Sequence, residues 1–463
     1  MGFVFYGIAT TGTDKSFDQL LQFAAIHTDA DLNILGRFER QCRLLPHIVP
    51  APEMLTTIGL PMERVLASHL PTHYSVVCEI AAQLTAWSPA IFLGWGSLDA
   101  DEYLRQALYQ CLHPPYLTNA PGSGRCDLRK LAQALLALQP DTLSSAYDAY
   151  GQLTFGLTEV ARANGVAHPN PGDALADVEV TVQLCRRIFD RAPDHWSTML
   201  RFAQKATAVA FTDEASAFVA TECYFEMPYR YALTKLGVDS QMPATMLGYD
   251  LEVDPAELRV LSDEQLRLRL DQKVKPIRRV RLNAAPVLHD VYDLGDFRGI
   301  PAEQWAARGE DIRADTTLCA RLCRAAERPP YPPSTYVEQQ MHGTFSNNAD
   351  KARMVRFHAG DWQSRAAMLE TFEDVRLIEL GYRLIFHHAP ELLPFPRRQE
   401  VARQLACRML GHGYTETPWL TLGAAHARAR ALGADCSPTH HYILTGLLNY
   451  VAQEHQRYSA LLN

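Results

Sequence analysis

The sequence predicts a multidomain α/β protein in three parts. A mixed sheet covered by helices spans residues 1–195, a small β-rich part with helical insertions spans 196–345, and a helical part spans 346–463. Three observations carry this reading. Near the start, three strand-like runs precede alternating strand and helix patterns. The middle is rich in Pro and alternates with a period of two. The remainder repeats its apolar residues every 3.6 positions.

In order, "FVFYGIA" (3–9) is an apolar strand. "LLQFAAIHTD" (20–29) and "NILGRFERQCRL" (33–44) follow as two more strands, joined by the polar turn "DADL". "YSVVCEIAAQLTAW" has helical spacing through Val77, Ile80, Ala81 and Leu84, and "AIFLGWG" (90–96) is a short buried strand. "ADEYLRQALYQCL", "DLRKLAQALLAL" and "GLTEVARANG" read as amphipathic helices, the last closed by Gly165. "DALADVEVTVQLCRRIF" predicts a long helix with Ala176, Val180, Leu184 and Ile188 on one stripe. In the middle, "MLGYDLEVD" and "VKPIRRVRLNAAPVL" alternate like strands, "PAEQWAARGEDIRADTTLCARLCRAAE" is helical and "RPPYPPSTYVEQQ" is a linker. Four later segments, from "VRLIELGYRLIF" to "HHYILTGLLNYVAQEHQ", predict the final helices.

Composition narrows the function classes. Hydrophobic content of 47% and charged content of 21% over 463 residues are those of an ordinary globular protein. No apolar run approaches the ~20 residues of a membrane span, and "MGFVFYG" lacks the features of a signal peptide. The ten cysteines are scattered, and the Cys319/Cys323 spacing is not that of a zinc knuckle, so they are expected to be reduced packing residues in a cytoplasmic protein. "NAPGSG" lacks the Lys of a phosphate-binding loop. The pairs His387/His388 and His440/His441 lack a third ligand at metal spacing. A net charge of −8 argues against bulk attraction to nucleic acid, although a local basic surface can still bind phosphates.

Several segments together resemble bacterial exonuclease I, a 3′→5′ exonuclease of single-stranded DNA. They include "QFAAIHTDADLN", "LTEVARANGVAHPN", "DALADVEVT", "VKPIRRVRLNAAPVL", "VEQQMHGTFSNNADKARM" and "FEDVRLIELGYR", in order and across all three parts. The resemblance implies an RNase H-like exonuclease domain of the DEDD type, an SH3-like β domain and a helical C-terminal domain around a channel for DNA. It also implies chemistry in which four carboxylates hold two divalent ions and a His deprotonates water.

This sequence departs from that pattern. Gly7 and Ala9 stand at the two acid positions of the first strand, although Thr10 and Gly12 match. "GDALADV" keeps Asp177 but has Gly172 at the His position. "GWGSLDADEYL" is one residue short, so helix phase puts Ala100 at the third acid while the loop apex puts Asp99 there. At most two of four carboxylates remain, and Asp177 alone should not hold two Mg²⁺. Asp14, Asp101, Asp173 and His168 are the neighbours that would have to substitute, against the directionality of strands and helices. The expectation is a nuclease homologue with little or no turnover and no cofactor, with Mg²⁺ or Mn²⁺ entering only if activity persists. Single-stranded DNA remains the expected partner, within a larger nucleoprotein assembly. An active enzyme with displaced ligands and a protein scaffold without DNA are the rival readings.

The candidate DNA contacts are Lys273, Lys275, Arg279 and Arg281 on one face of "KVKPIRRVR", which holds five cations in nine residues, together with Lys351 and Arg353 of "DKARMVR". By resemblance, Arg376, Arg383, Gln22, Phe23 and Leu55 to Thr57 are added. Phe23 also reads as core, and Arg376 and Arg383 as partners of Glu379. The family's docking pocket for the tail of single-stranded-DNA-binding protein does not carry over, because Gln139 stands where an Arg is expected.

Overall fold

The computed structural model describes residues 2–330 and 332–462, the side chain of Asp435 excepted. β1 (Gly2–Thr10), β2 (Leu20–Thr28) and β3 (Ile34–Gln41) form an antiparallel meander. β1 is apolar on both faces because both are covered: Phe3 and Phe5 enter one core, Val4 and Tyr6 the other. Short helices α1 (Pro52–Thr57) and α2 (Met62–Val65) lead to α3 (His73–Trp87), whose start is capped by Thr72 accepting from the Ser75 N–H. β4 (Ala90–Gly94) pairs with β1 in parallel, and β5 (Gly124–Asp127) pairs with β4 across the helix α4 (Ser97–Gln110). The sheet order is therefore β3-β2-β1-β4-β5. Asp127 ends β5 and caps α5 (Leu128–Leu138).

The two-residue strands β6 (Ala146–Tyr147) and β7 (Leu153–Thr154) and the helix α6 (Leu157–Ala163) precede α7 (Ala174–Arg191). The expected single stripe on α7 is divided. Val178, Val182, Cys185 and Ile188 press on the sheet, whereas Val180 and Leu184 pack with Val160 of α6. A helix covered on two sides needs two apolar faces, and a one-stripe reading merges them. α8 (Pro193–Arg201) adds Trp196 and Met199 to the sheet-facing core.

After α9 (Lys205–Glu214) comes a second sheet, ordered β11-β10-β9-β8-β12. Its strands are β8 (Phe218–Tyr224), β9 (Met227–Val238), β10 (Thr245–Asp250), β11 (Ile277–Arg281) and β12 (Val287–Asp290). Helices α10 (Pro255–Arg259) and α11 (Asp263–Leu270) are inserted between β10 and β11. α12 (Ala302–Ala314) and α13 (Thr316–Ala325) cover one face and bury Trp305 there. The ladder of β11 begins at Ile277 opposite Tyr249. Lys273 and Lys275 therefore lie in the bend before the strand rather than on its face, because Pro276 has no N–H to offer a ladder.

The last part comprises α14 (Asn348–Ala359), α15 (Trp362–Met368), α16 (Val375–His388), α17 (Phe395–Leu410), α18 (Leu422–Leu432) and α19 (Pro438–Leu462). These helices share cores with the first sheet. Phe357, Leu377, Leu380 and Leu384 join Val4, Tyr6, Phe23 and Ile80. Leu444 and Leu447 of α19 join Leu21 and Leu55. At about 1.5–3 kcal/mol for each buried large apolar side chain, this shared burial binds the two ends of the chain together. Among the described residues no helix is long and apolar enough to cross a membrane.

Candidate functional site

The end of β1 and the starts of α4 and α7 converge where the resemblance places nuclease chemistry. Gly7 faces the first turn of α7. A Cβ there would lie 3.0 Å from Val178 Cγ2 and 3.3 Å from the Ala174 carbonyl oxygen. Ala9 is buried two residues on, facing the same way along the strand. Gly172 has φ +87°, a left-handed conformation that a His would adopt only under strain, and a Cβ would meet Ile58 at 3.3 Å.

Asp177, the acid that the resemblance retains in either register, is engaged locally. Its Oδ1 accepts from the Gly172 N–H at 3.1 Å and lies 2.7 Å from His168 Nε2. The other ring nitrogen of His168 faces Thr158 Oγ1 at 3.2 Å, and the side chain is 5% exposed, so neither nitrogen is left for a solvent water. Burial pushes the Asp177 carboxyl above its usual range, against the pull of the Gly172 and His168 hydrogen bonds.

The remaining acids are committed as well. Asp14 accepts from the Ser16 and Phe17 N–H groups. Asp173 caps α7 through the Ala176 N–H. Asp101 is fully buried between Arg105 and Arg125. Asp99 points outward to Lys15, while Ala100 packs partly against the sheet core. A pair of divalent ions needs several converging hard oxygens. Gly7, Ala9, Ala100 and Gly172 supply no side-chain donor, so these residues do not fit such a pair.

The expected DNA contacts divide into three groups. Phe23 is 0% exposed, packed between Tyr6 and Phe38, and is core rather than a stacking platform. Gln22 is buried, its Oε1 3.4 Å from the Ala174 N–H, and Leu55 is also buried. The second group is neutralised by acids, some at helical spacing and others far away in the chain. Arg279 pairs with Asp239 at 3.0 Å. Arg353 pairs with Asp350 and Glu373. Arg383 is shared between Glu338 and Glu379. Arg376 is buried on Asp374, so its expected pairing with Glu379 gives way to a closer acid. Lys273, Lys275, Arg281 and Lys351 are exposed and have no ion-pair partner among the described residues.

Two features escaped the sequence reading. A cavity of about 500 Å³ is lined by Gln22, Thr56, Thr57, Arg64, Asn170 and Asp173, beside the Gly172 turn. Arg64 is exposed there without an ion-pair partner among the described residues; nothing in the sequence distinguishes it from other surface arginines. Near α4, Phe345 is 80% exposed and its ring lies 5.4 Å from that of Tyr116. "HGTFSNN" marked the segment but not the aromatic pair.

No family model matches the chain. The exodeoxyribonuclease I of Escherichia coli (strain K12) is 25% identical over 437 residues, which cover 89% of this chain and 92% of that protein. The chain is a homologue of exodeoxyribonuclease I. Solved structures share the fold. A moderately thermophilic exonuclease I from Methylocaldum szegediense superposes with a TM-score of 0.84 at 24% identity, covering 98% of this chain and 99% of that one. E. coli exonuclease I in complex with a dA16 oligonucleotide gives 0.84 at 23% identity, with the same coverage. In this exonuclease I homologue, Gln139 donates to the Arg191 carbonyl at 2.7 Å, joining the ends of α5 and α7. It offers no charge to an acidic tail.

Proposed function

We propose that this exonuclease I homologue binds single-stranded DNA or its 3′ end with little or no hydrolysis, as a cytoplasmic component of a larger nucleoprotein assembly. The observation that carries the reading is the cavity beside the Gly172 turn. It is polar, it is lined by Arg64, which has no ion-pair partner among the described residues, and its acid, Asp173, is occupied as a helix cap. Gly7, Ala9, Ala100 and Gly172 carry no carboxylate and Asp177 is held by His168, so the groove has few free carboxylates to repel a phosphodiester. Phe345 on Tyr116 adds a surface on which a base can stack, and Lys351 follows at the start of α14. The E. coli relative with bound dA16 supports single-stranded DNA as the ligand.

The test uses 3′-labelled single-stranded DNA with Mg²⁺, with Mn²⁺ or with EDTA. Retention in EDTA without shortening in either metal is expected. Shortening that needs metal and disappears in Asp177→Ala would instead establish an active nuclease with displaced ligands. No retention at low salt would overturn DNA binding and point to the protein scaffold. Arg64→Ala is expected to lower the slope of log K against log salt by about 0.7, the loss of one phosphate contact on a single strand. Phe345→Ala is expected to weaken binding by about 1–3 kcal/mol if a base stacks there. Fluorescence anisotropy over a salt series reads both, and wild-type slopes and affinities in both variants would refute this placement of the DNA.

A further inference from the structure

Away from the nuclease-type positions, α3, the turn after α4 and α14 bring Cys78, His113 and His358 together. One donor atom from each lies within 4.8 Å of the others. His113 Nε2 is 3.3 Å from Cys78 Sγ, and Cys78 Sγ is 3.8 Å from His358 Nδ1. These bracket the N···S edge of about 3.5 Å expected for a tetrahedral zinc centre with Zn–N near 2.0–2.1 Å and Zn–S near 2.3 Å.

The surroundings orient the ligands. His358 Nε2 lies 3.0 Å from the Leu112 carbonyl oxygen. A carbonyl can only accept, so Nε2 carries the proton and Nδ1 keeps its lone pair, with Cys78 Sγ 3.8 Å away. The Tyr74 hydroxyl, 2.9 Å from Nδ1, donates to that lone pair when no ion is bound. The two imidazoles stack at 3.6 Å with planes 5° apart, so both rings have to swing out of the stack before their in-plane lone pairs meet at one ion. A cavity of about 770 Å³, lined by all three residues together with Tyr74, Trp362 and Arg365, opens onto the cluster.

The geometry points to a zinc site formed by Cys78, His113 and His358, which clamps α14 to the first sheet's covering helices and leaves a fourth coordination position open to the cavity. The donor set of one thiolate and two imidazoles suits Zn²⁺ and disfavours Mg²⁺ or Ca²⁺, which require hard oxygens. Binding replaces the thiol proton, which passes to solvent, by the metal. The ligands come from distant segments, so the ion would add to the apolar contacts that already hold the two ends of the chain together.

The test loads chelator-stripped full-length protein with Co²⁺ and with Zn²⁺. Expected are one Co²⁺ per chain, visible bands of a tetrahedral ion, a near-ultraviolet thiolate-to-cobalt band and thermal stabilisation by Zn²⁺. Cys78→Ser should abolish the thiolate band. His358→Ala and His113→Ala should each weaken Zn²⁺ binding by more than the 10–100-fold typical of an outer-shell loss. Cys319→Ser serves as the control and should change nothing. Circular dichroism verifies that each variant is folded, and Cys78→Ser makes the smallest change in volume. Substoichiometric Co²⁺ binding to the wild type, or a thiolate band that survives Cys78→Ser, overturns the site. Unchanged affinity in either His variant overturns the three-ligand assignment.

Discussion

Asp101→Ala is expected to lower the stability of this protein by about 3–5 kcal/mol, whereas Asp99→Ala, two residues earlier, is expected to change it by less than about 1 kcal/mol. The difference lies in what each carboxylate holds. Asp101 is 0% exposed and meets Arg105 Nε at 2.7 Å and the guanidinium of Arg125. It also accepts from Thr118 Oγ1 at 2.6 Å and from the Tyr6 hydroxyl at 3.3 Å. Burial and the neighbouring carboxylate push the Tyr6 phenol well up, so it remains a donor. Removing the acid leaves the buried Arg125 without a counter-charge and Arg105 with Glu102 alone, which is far costlier than never having buried the set. Asp99 is 74% exposed and holds only Lys15, a pair that water screens. Urea denaturation at neutral pH compares the two variants. If Asp101→Ala proves as mild as Asp99→Ala, the buried triad is not what secures α4 to the sheet.

Acidification is expected to destabilise the protein steeply below about pH 6.5, through histidines buried where α3 and α16 meet the chain after β3. His47 and His387 stack at 4.8 Å, and His73 lies with them around one small cavity. Burial holds His47 well below its usual range, with the nearby His387 and Arg408 adding to the effect. Burial likewise pushes His73 down to about 4 and His387 down to about 3. In the unfolded chain these groups titrate near 6.5. Between the folded and unfolded values the unfolded state therefore binds more protons, so stability falls as pH falls and is unaffected above about pH 7. At pH 5 His73 and His387 each cost about 2 kcal/mol and each contribute about 1.4 kcal/mol per pH unit to the slope, with His47 acting in the same direction. Denaturation midpoints from pH 8 to pH 4 read this slope, to which other buried histidines such as His289 and His388 add, and His387→Phe should reduce it by about 1.4 kcal/mol per pH unit. A profile that stays flat between pH 6.5 and 5 would contradict the burial of these rings.

The absence of metal-donating side chains at the nuclease-type positions was legible residue by residue. Gly7, Ala9 and Gly172 stand out because a short motif in a strand or helix start has fixed local directions, and neither residue type can donate to a metal whatever the surroundings. The structure adds that Gly172 is left-handed and that Asp177 is turned onto His168. The DNA contacts were far less legible. Arg279, Arg353 and Arg383 look alike in a string of letters, yet each is consumed by an acid that the fold supplies. Phe23 matched a family segment near the DNA end, but a residue in a two-sided buried strand goes to the core.

The sequence by itself determined the strands, most helices and the lack of donor side chains at Gly7, Ala9 and Gly172, because strand alternation, helix periodicity, caps and residue chemistry are local properties. Only the tertiary structure decided which charges remain free and which histidines are buried. It also decided that Cys78, His113 and His358 meet between α3 and α14. Those outcomes depend on pairs far apart in the chain, and one residue's partner across a packed interface leaves no periodic trace in the sequence between them.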